Sequence, residues 1–202
     1  MTIDFEKKAI ERMLEAGISL GHIQSQKRNF FQDSHVENYY NKIENSEHPC
    51  KKIPIKKIIG VKADWAVEEK SVYDLFMKEL PEGRDVGKIN ENLTSLKKNG
   101  LAFQQAFYSD DFNLEGSSLL RFNYYKEDDC YILQNDGVHR VIAAKMFNAP
   151  SMSGIVTDYE LDEEKKELYE EYESLKEILR LTDIKGLTLD YFQEKMSRNK
   201  KE

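Results

Sequence analysis

Apolar residues recur at helical spacing in Phe5, Ala9, Met13 and Ala16, with Ile10 and Leu14 beside them. This stripe predicts an amphipathic helix over 4–16, capped by Asp4 and ended by Gly17. The pattern then loosens into a connection with a polar helix around 33–43. Alternation returns at Ile53-Pro54-Ile55-Lys56-Lys57-Ile58-Ile59-Gly60-Val61, which reads as a strand, with Pro54 marking an edge or a strand start. Val72, Leu75, Phe76 and Leu80 predict a helix over 68–80, and a turn follows at 81–85. Ile89, Leu93 and Leu96 predict another over 88–99, stopped by Asn99-Gly100. Residues 101–108 read as a strand, and 122–133 as strand, acidic turn and strand. A last strand is expected over 152–157. Leu161, Leu168, Tyr172, Leu175 and Leu179 fall at near-heptad intervals and predict a long helix over 160–180, followed by a shorter one from residue 188 that buries Leu189 and Phe192.

One stretch breaks this rhythm. Ile132-Leu133 ends a buried-looking strand, Asn135-Asp136-Gly137 is turn chemistry, and Val141 to Phe147 carries apolar residues at helical spacing. The turn therefore opens a helix. The first backbone N–H groups of a helix have no partner within it and the macrodipole adds partial positive charge, so an anion is favoured there. Gly137 lets the backbone come close, and His139 and Arg140 add donors suited to phosphate oxygens.

Asp136-Gly137-Val138-His139-Arg140, followed by Ala143-Ala144-Lys145, resembles the Gly-x-His/Arg-Arg-x-x-Ala-Ala signature of the ParB/sulfiredoxin-like fold. Residues 89–100 are similar to the helix end that precedes this motif in ParB-type domains, and 53–58 to their opening strand. The resemblance spans roughly residues 52–158. It implies an α/β (α+β) domain, a mixed small sheet with packed helices, between a helical N-terminal extension (1–51) and a helical C-terminal extension (159–202). It also implies binding of a nucleoside triphosphate or diphosphate, ATP or CTP with Mg²⁺, at Asp136, Gly137, Val138, His139 and Arg140, with Arg84 as a second phosphate contact.

Two departures from the family shape the functional expectation. Sulfiredoxin carries its reactive cysteine between the glycine and histidine of the motif, where this chain has Val138; a valine cannot attack a sulfinyl phosphate, so that reaction is excluded. Residues 109–125 add a polar and aromatic stretch before the motif. A related branch of the fold transfers phosphate to a small hydroxyl substrate through a carboxylate base, and Asp64, Glu68, Glu69 and Asp85 are candidates for that role. Asp136 is open to two readings, a helix cap or a contact to a metal or hydroxyl. Lys145 is expected on a solvated helix face.

Composition narrows the choice of partners. Of 202 residues, 40% are hydrophobic and 33% charged, as in a folded protein with a well-solvated surface, and the net charge of −7 disfavours generic DNA binding. No run is long and apolar enough to cross a membrane and the start lacks signal-peptide order, so a cytoplasmic protein is expected. Cys50 and Cys130 lack zinc spacing, and His22, His35 and His48 are irregularly placed, so no metal site is expected. The reading that leads is nucleotide binding, with NTP hydrolysis or phosphotransfer to a small molecule. Its rival is a non-catalytic module in which the C-terminal helix pairs with a protein partner or a second copy as a homodimer. A third reading is a DNA-associated ParB-like protein or nuclease.

Overall fold

The structure, a computed structural model, describes residues 2–32, 34–62, 67, 70–77, 87–109 and 119–178. It is mixed α/β. Helices α1 (Thr2–Glu15) and α2 (Leu20–Ser25) lead through a 3-10 turn at Ser34–Asn38 into a long strand β1 (Tyr40–Pro54). Next come β2 (Ile58–Val61), α3 (Val72–Met77), α4 (Gly87–Asn99) and α5 (Leu101–Ser109). The hairpin β3 (Arg121–Tyr125) and β4 (Cys130–Leu133) precedes α6 (Val138–Met146), β5 (Ser151–Leu161) and α7 (Glu163–Ile178).

The five strands form one mixed sheet in the order β1-β5-β3-β4-β2. β1/β5 and β3/β4 pair antiparallel, whereas β5/β3 and β4/β2 are parallel. All four residues of β4 are buried, which explains its unbroken apolar run. Along β3 and β5 successive side chains alternate between the two faces. Phe122, Met152 and Val156 join Ala9 and Met13 of α1, Leu93 of α4 and Ile142 of α6 in the main core. On the other face Tyr125 and Ile132 cluster with Tyr40, against Tyr39 and Tyr159. α7 closes over this second face: Tyr172 is buried, and the Tyr169 ring lies 5.5 Å from that of Tyr39. Asp162 caps α7 by accepting the N–H of Lys165 at 3.1 Å.

Several expected elements differ. The polar helix expected around 33–43 is a short 3-10 turn followed by β1, because Tyr40, Asn41 and Lys42 pair with Leu161, Glu160 and Tyr159. Two register shifts in this ladder, Lys42/Glu47 and His48/Lys51, disrupt the alternation that would have marked a strand. The strand expected over 53–61 divides: Pro54 ends β1 at one edge of the sheet, a 3-10 turn covers Ile55–Lys57, and β2 forms the opposite edge. β1 therefore runs across the boundary expected at residue 51, and α1 shares the main core. Leu161 lies on β5 and not on the C-terminal helix.

Residues 101–108, expected as a strand, are helical. Gly100, at φ +83°, ends α4, and α5 restarts at once. Gln104 and Tyr108 share one face of α5. Gln104 Nε2 donates to Tyr108 Oη at 3.0 Å, Tyr108 Oη donates to Asn92 Oδ1 at 2.6 Å, and Ser95 Oγ donates to Gln104 Oε1 at 2.7 Å. This network between α4 and α5 fits the helical spacing. The expected helices over 68–80 and from residue 188 lie partly and wholly outside the described residues.

Candidate functional site

β4 runs parallel to β2 and leads directly into α6, so the turn between them lies at the carboxyl ends of these two strands. Neighbouring backbone fastens the connection on both sides. Lys62 N donates to Leu133 O at 2.7 Å, and Gln134 N donates to Arg121 O at 2.8 Å. Asn135 then locks the turn, its Oδ1 accepting the Arg121 N–H at 2.8 Å and its Nδ2 donating to Leu119 O at 2.7 Å.

Gly137 is the residue on which α6 starts. Its φ of +136° is strained for any side chain, and its carbonyl accepts the N–H groups of Arg140 (2.8 Å) and Val141 (3.1 Å). A Cβ here would collide with Leu120 Cδ2 and stand 3.4 Å from Arg140 Nη2. The Arg140 guanidinium thus lies over the glycine. The N-cap position of α6 falls on Gly137, which has no side chain to cap with, while Asp136 lies one residue earlier; the first turn has no acidic residue.

Asp136 is exposed, His139 and Arg140 are half-buried, and Val138 is buried in the main core. Val138 can therefore offer a ligand its backbone but not its side chain. Burial pushes the Arg140 guanidinium below its usual pKa, and the nearby Asp136 carboxylate opposes that shift. The structure thus brings together Asp136, Gly137, Val138, His139 and Arg140. Arg84, and the candidate bases Asp64, Glu68, Glu69 and Asp85, lie outside the described residues, as does 110–118 of the extra stretch.

Lys145 is not on a solvated face. It is 6% exposed, its Nζ lies 3.4 Å from Ile55 O and 5.6 Å from the centre of the Phe31 ring, and burial pushes its pKa down to about 8. The reason is that α6 packs against α3, α4, α5 and the turn at Ile55–Lys57, shares the main core with the sheet, and buries almost every position. His22 Nε2 is 2.9 Å from the Lys145 carbonyl, and His48 Nε2 is 3.1 Å from Asp158 Oδ2. Among the described residues, no group of three or more His, Cys, Asp and Glu is placed to hold a metal ion. The described helices include none long and apolar enough to cross a membrane.

The motif did not reveal what stands beside the turn. Arg121 and Asn135 are far apart in sequence, as are Gln134, Glu37 and Lys62. Gln134 Nε2 donates to Glu37 Oε1 at 2.8 Å, and Lys62 Nζ is 3.6 Å from Glu37 Oε2. Their one local signal is position: Lys62 and Arg121 sit at strand ends. No family model, curated protein or solved structure matches the chain.

Proposed function

We propose that the chain binds a nucleotide through its phosphates at the Asp136–Arg140 turn, as a ParB/sulfiredoxin-like domain with ATP or CTP and Mg²⁺ as its ligand. The observation that carries this reading is the start of α6: a helix opened by a glycine at positive φ, with the Arg140 guanidinium over that glycine. Backbone dipoles and an arginine converge there, an arrangement suited to phosphate. The reactions open to such a site are hydrolysis of the nucleotide or phosphoryl transfer to the hydroxyl of a small molecule, both of which depend on positioning and charge stabilisation.

The rival reading, self-association or partner binding through the C-terminal helix, has less support. Tyr172 is buried and Tyr169 packs on Tyr39, so α7 directs aromatic residues to its own domain. The net charge of −7 supplies no general attraction for DNA.

Calorimetric titration with ATP, ADP, CTP and GTP, with and without Mg²⁺, tests the proposal. Specific binding that is lost in Arg140→Ala supports it. If none of the four binds, the proposal is wrong.

A further inference from the structure

Residues 20–32, made of α2 and the stretch after it, lie against the end of α6 as a strap. Backbone contacts hold the far end of this strap: Asn29 O accepts the N–H of Val72 at 2.7 Å, Phe30 bridges Ser71, and Gln32 N donates to Ile59 O at 2.8 Å. Ile23 and Phe31 anchor it in the main core, whereas Leu20 and Phe30 stand about half exposed.

Two side chains of the strap meet the same residue of α6. His22 Nε2 is 2.9 Å from the Lys145 carbonyl, and the Phe31 ring centre is 5.6 Å from Lys145 Nζ. On the opposite side Nζ is 3.4 Å from Ile55 O, its one hydrogen-bond acceptor among the described residues. An ammonium has three protons to donate, so this lysine is buried with most of its hydration unreplaced.

No charge on the surrounding elements compensates. On α3, Asp74 is taken by Ser71 Oγ at 2.6 Å, and the Tyr73 hydroxyl by Glu6. On α4, Glu91, Lys97 and Lys98 are exposed; α5 carries no charged residue, and its Tyr108 hydroxyl is held by Asn92. Lys56 is exposed and Lys57 pairs with Asp129. Within the strap, Lys27 lies over the Tyr73 ring and Arg28 is exposed. Burial is accordingly the whole cause of the lowered Lys145 pKa. Of the two sides that cover the ammonium, the Ile55 side is the fixed one, because Ile55 N donates to Pro150 O at 3.2 Å and its turn joins β1 to β2.

We propose that residues 20–32 form a pH-sensitive cover, which opens as a unit to let water reach Lys145 while its ammonium is charged and settles closed as the amine is neutralised. With the strap open, the amine is solvated and has its ordinary pKa of 10.5; with it closed, burial holds the value at about 8. Below pH 8 the group is charged in both forms, and the cost of dehydrating it favours opening in full. Between pH 8 and 10.5 the closed form sheds its proton, and opening becomes steadily rarer. The carboxyl end of α6 is what the open strap uncovers. The Gly137 turn, at the opposite end of that helix, stays formed.

Amide hydrogen exchange of the full chain tests this. The Val72 and Gln32 amides report on the closed strap through their bonds to Asn29 O and Ile59 O, and the Lys62 amide, bonded to Leu133 O, is the control. After correction for the chemical exchange rate, the opening constant at Val72 and Gln32 should exceed that at Lys62. It should fall about tenfold between pH 7 and 9, the ratio set by the two pKa values. Lys145→Met should open more rarely at pH 7 and lose this pH dependence. Phe31→Leu, which lacks the ring over Nζ, should open more often at pH 7 and keep it. Strap amides that exchange no faster than Lys62, a flat wild-type profile, or an unchanged profile in Lys145→Met would each overturn the proposal. If Lys145→Met does not fold, the wild-type profile and Phe31→Leu decide.

Discussion

The guanidinium of Arg140 lies over Gly137, with Nη2 3.4 Å from where a glycine Cβ would stand. This contact and the positive φ make glycine necessary at the turn on two independent grounds, backbone conformation and space. Gly137→Ala should destabilise the protein by about 2–4 kcal/mol, combining left-handed strain with overpacking against Leu120. Denaturant melts should show the shift in midpoint. An unchanged midpoint would mean that the turn relaxes freely and is not held as described.

Asn135 bonds two backbone groups of the incoming β3 segment, the Arg121 N–H and the Leu119 carbonyl. Removing both contacts in Asn135→Ala should cost about 1–2 kcal/mol. It should also speed hydrogen exchange at the Arg121 amide relative to amides in the centre of β3. Asn135→Asp keeps the acceptor and loses the donor, so its Arg121 amide should remain protected. Equal exchange in the two variants would count against the side-chain lock.

The helical assignment of α5 has its own test. Tyr108 is fully buried, and its hydroxyl both donates to Asn92 and accepts from Gln104. Tyr108→Phe removes that hydroxyl but keeps the ring against Phe147, so the loss should be about 1–3 kcal/mol, from buried polar groups left without it. Gln104→Leu should be similarly costly, and the double variant less costly than the sum, because the two residues share one network. Strict additivity would contradict the contact.

What could be read from the sequence divides along the range of the interactions. α1, α4, the β3/β4 hairpin and the start of α6 each follow from local periodicity with a nearby stop signal, and Gly137 was marked by its own turn chemistry. β1 was hidden because its pairing partner lies far along the chain, from Tyr40↔Leu161 to Pro54↔Ser151, and its bulges scramble the alternation. For α5, the sequence 101–108 fits either periodicity, and the choice falls to Asn92 and Ser95 on the neighbouring helix. At the turn, its own residues were legible, but the neighbouring backbone at Lys62 and Arg121 was not, since only the strand order brings it there. Lys145 misled for a related reason: a helix packed on nearly all sides has no polar face to assign from spacing.

Buried Lys145 gives a pH dependence whose sign follows from its surroundings. Burial lowers its pKa from 10.5 to about 8, so between these values the unfolded chain keeps a proton that the folded chain has lost. Stability contributed at this position therefore rises with pH through that window; below about pH 8 both states are protonated and the full cost of the buried ammonium, about 3 kcal/mol, persists. Cys130 acts in the opposite direction, because burial raises its thiol to about 11 and stability is lost as pH rises above its ordinary value of 9.0. The buried Tyr108 hydroxyl, also raised, opposes Lys145 above pH 10.0. The wild-type curve alone would mix these effects. Lys145→Met isolates one of them, as it keeps much of the stem's volume and removes the ammonium. The variant should be more stable than wild type at pH 7, and its advantage should shrink steadily from about pH 8 to 10. Urea melts of both proteins at matched pH measure this difference directly. A constant difference across the window, or a variant less stable at pH 7, would show that the lysine is solvated or paired in solution and that the packing around α6 is looser than described.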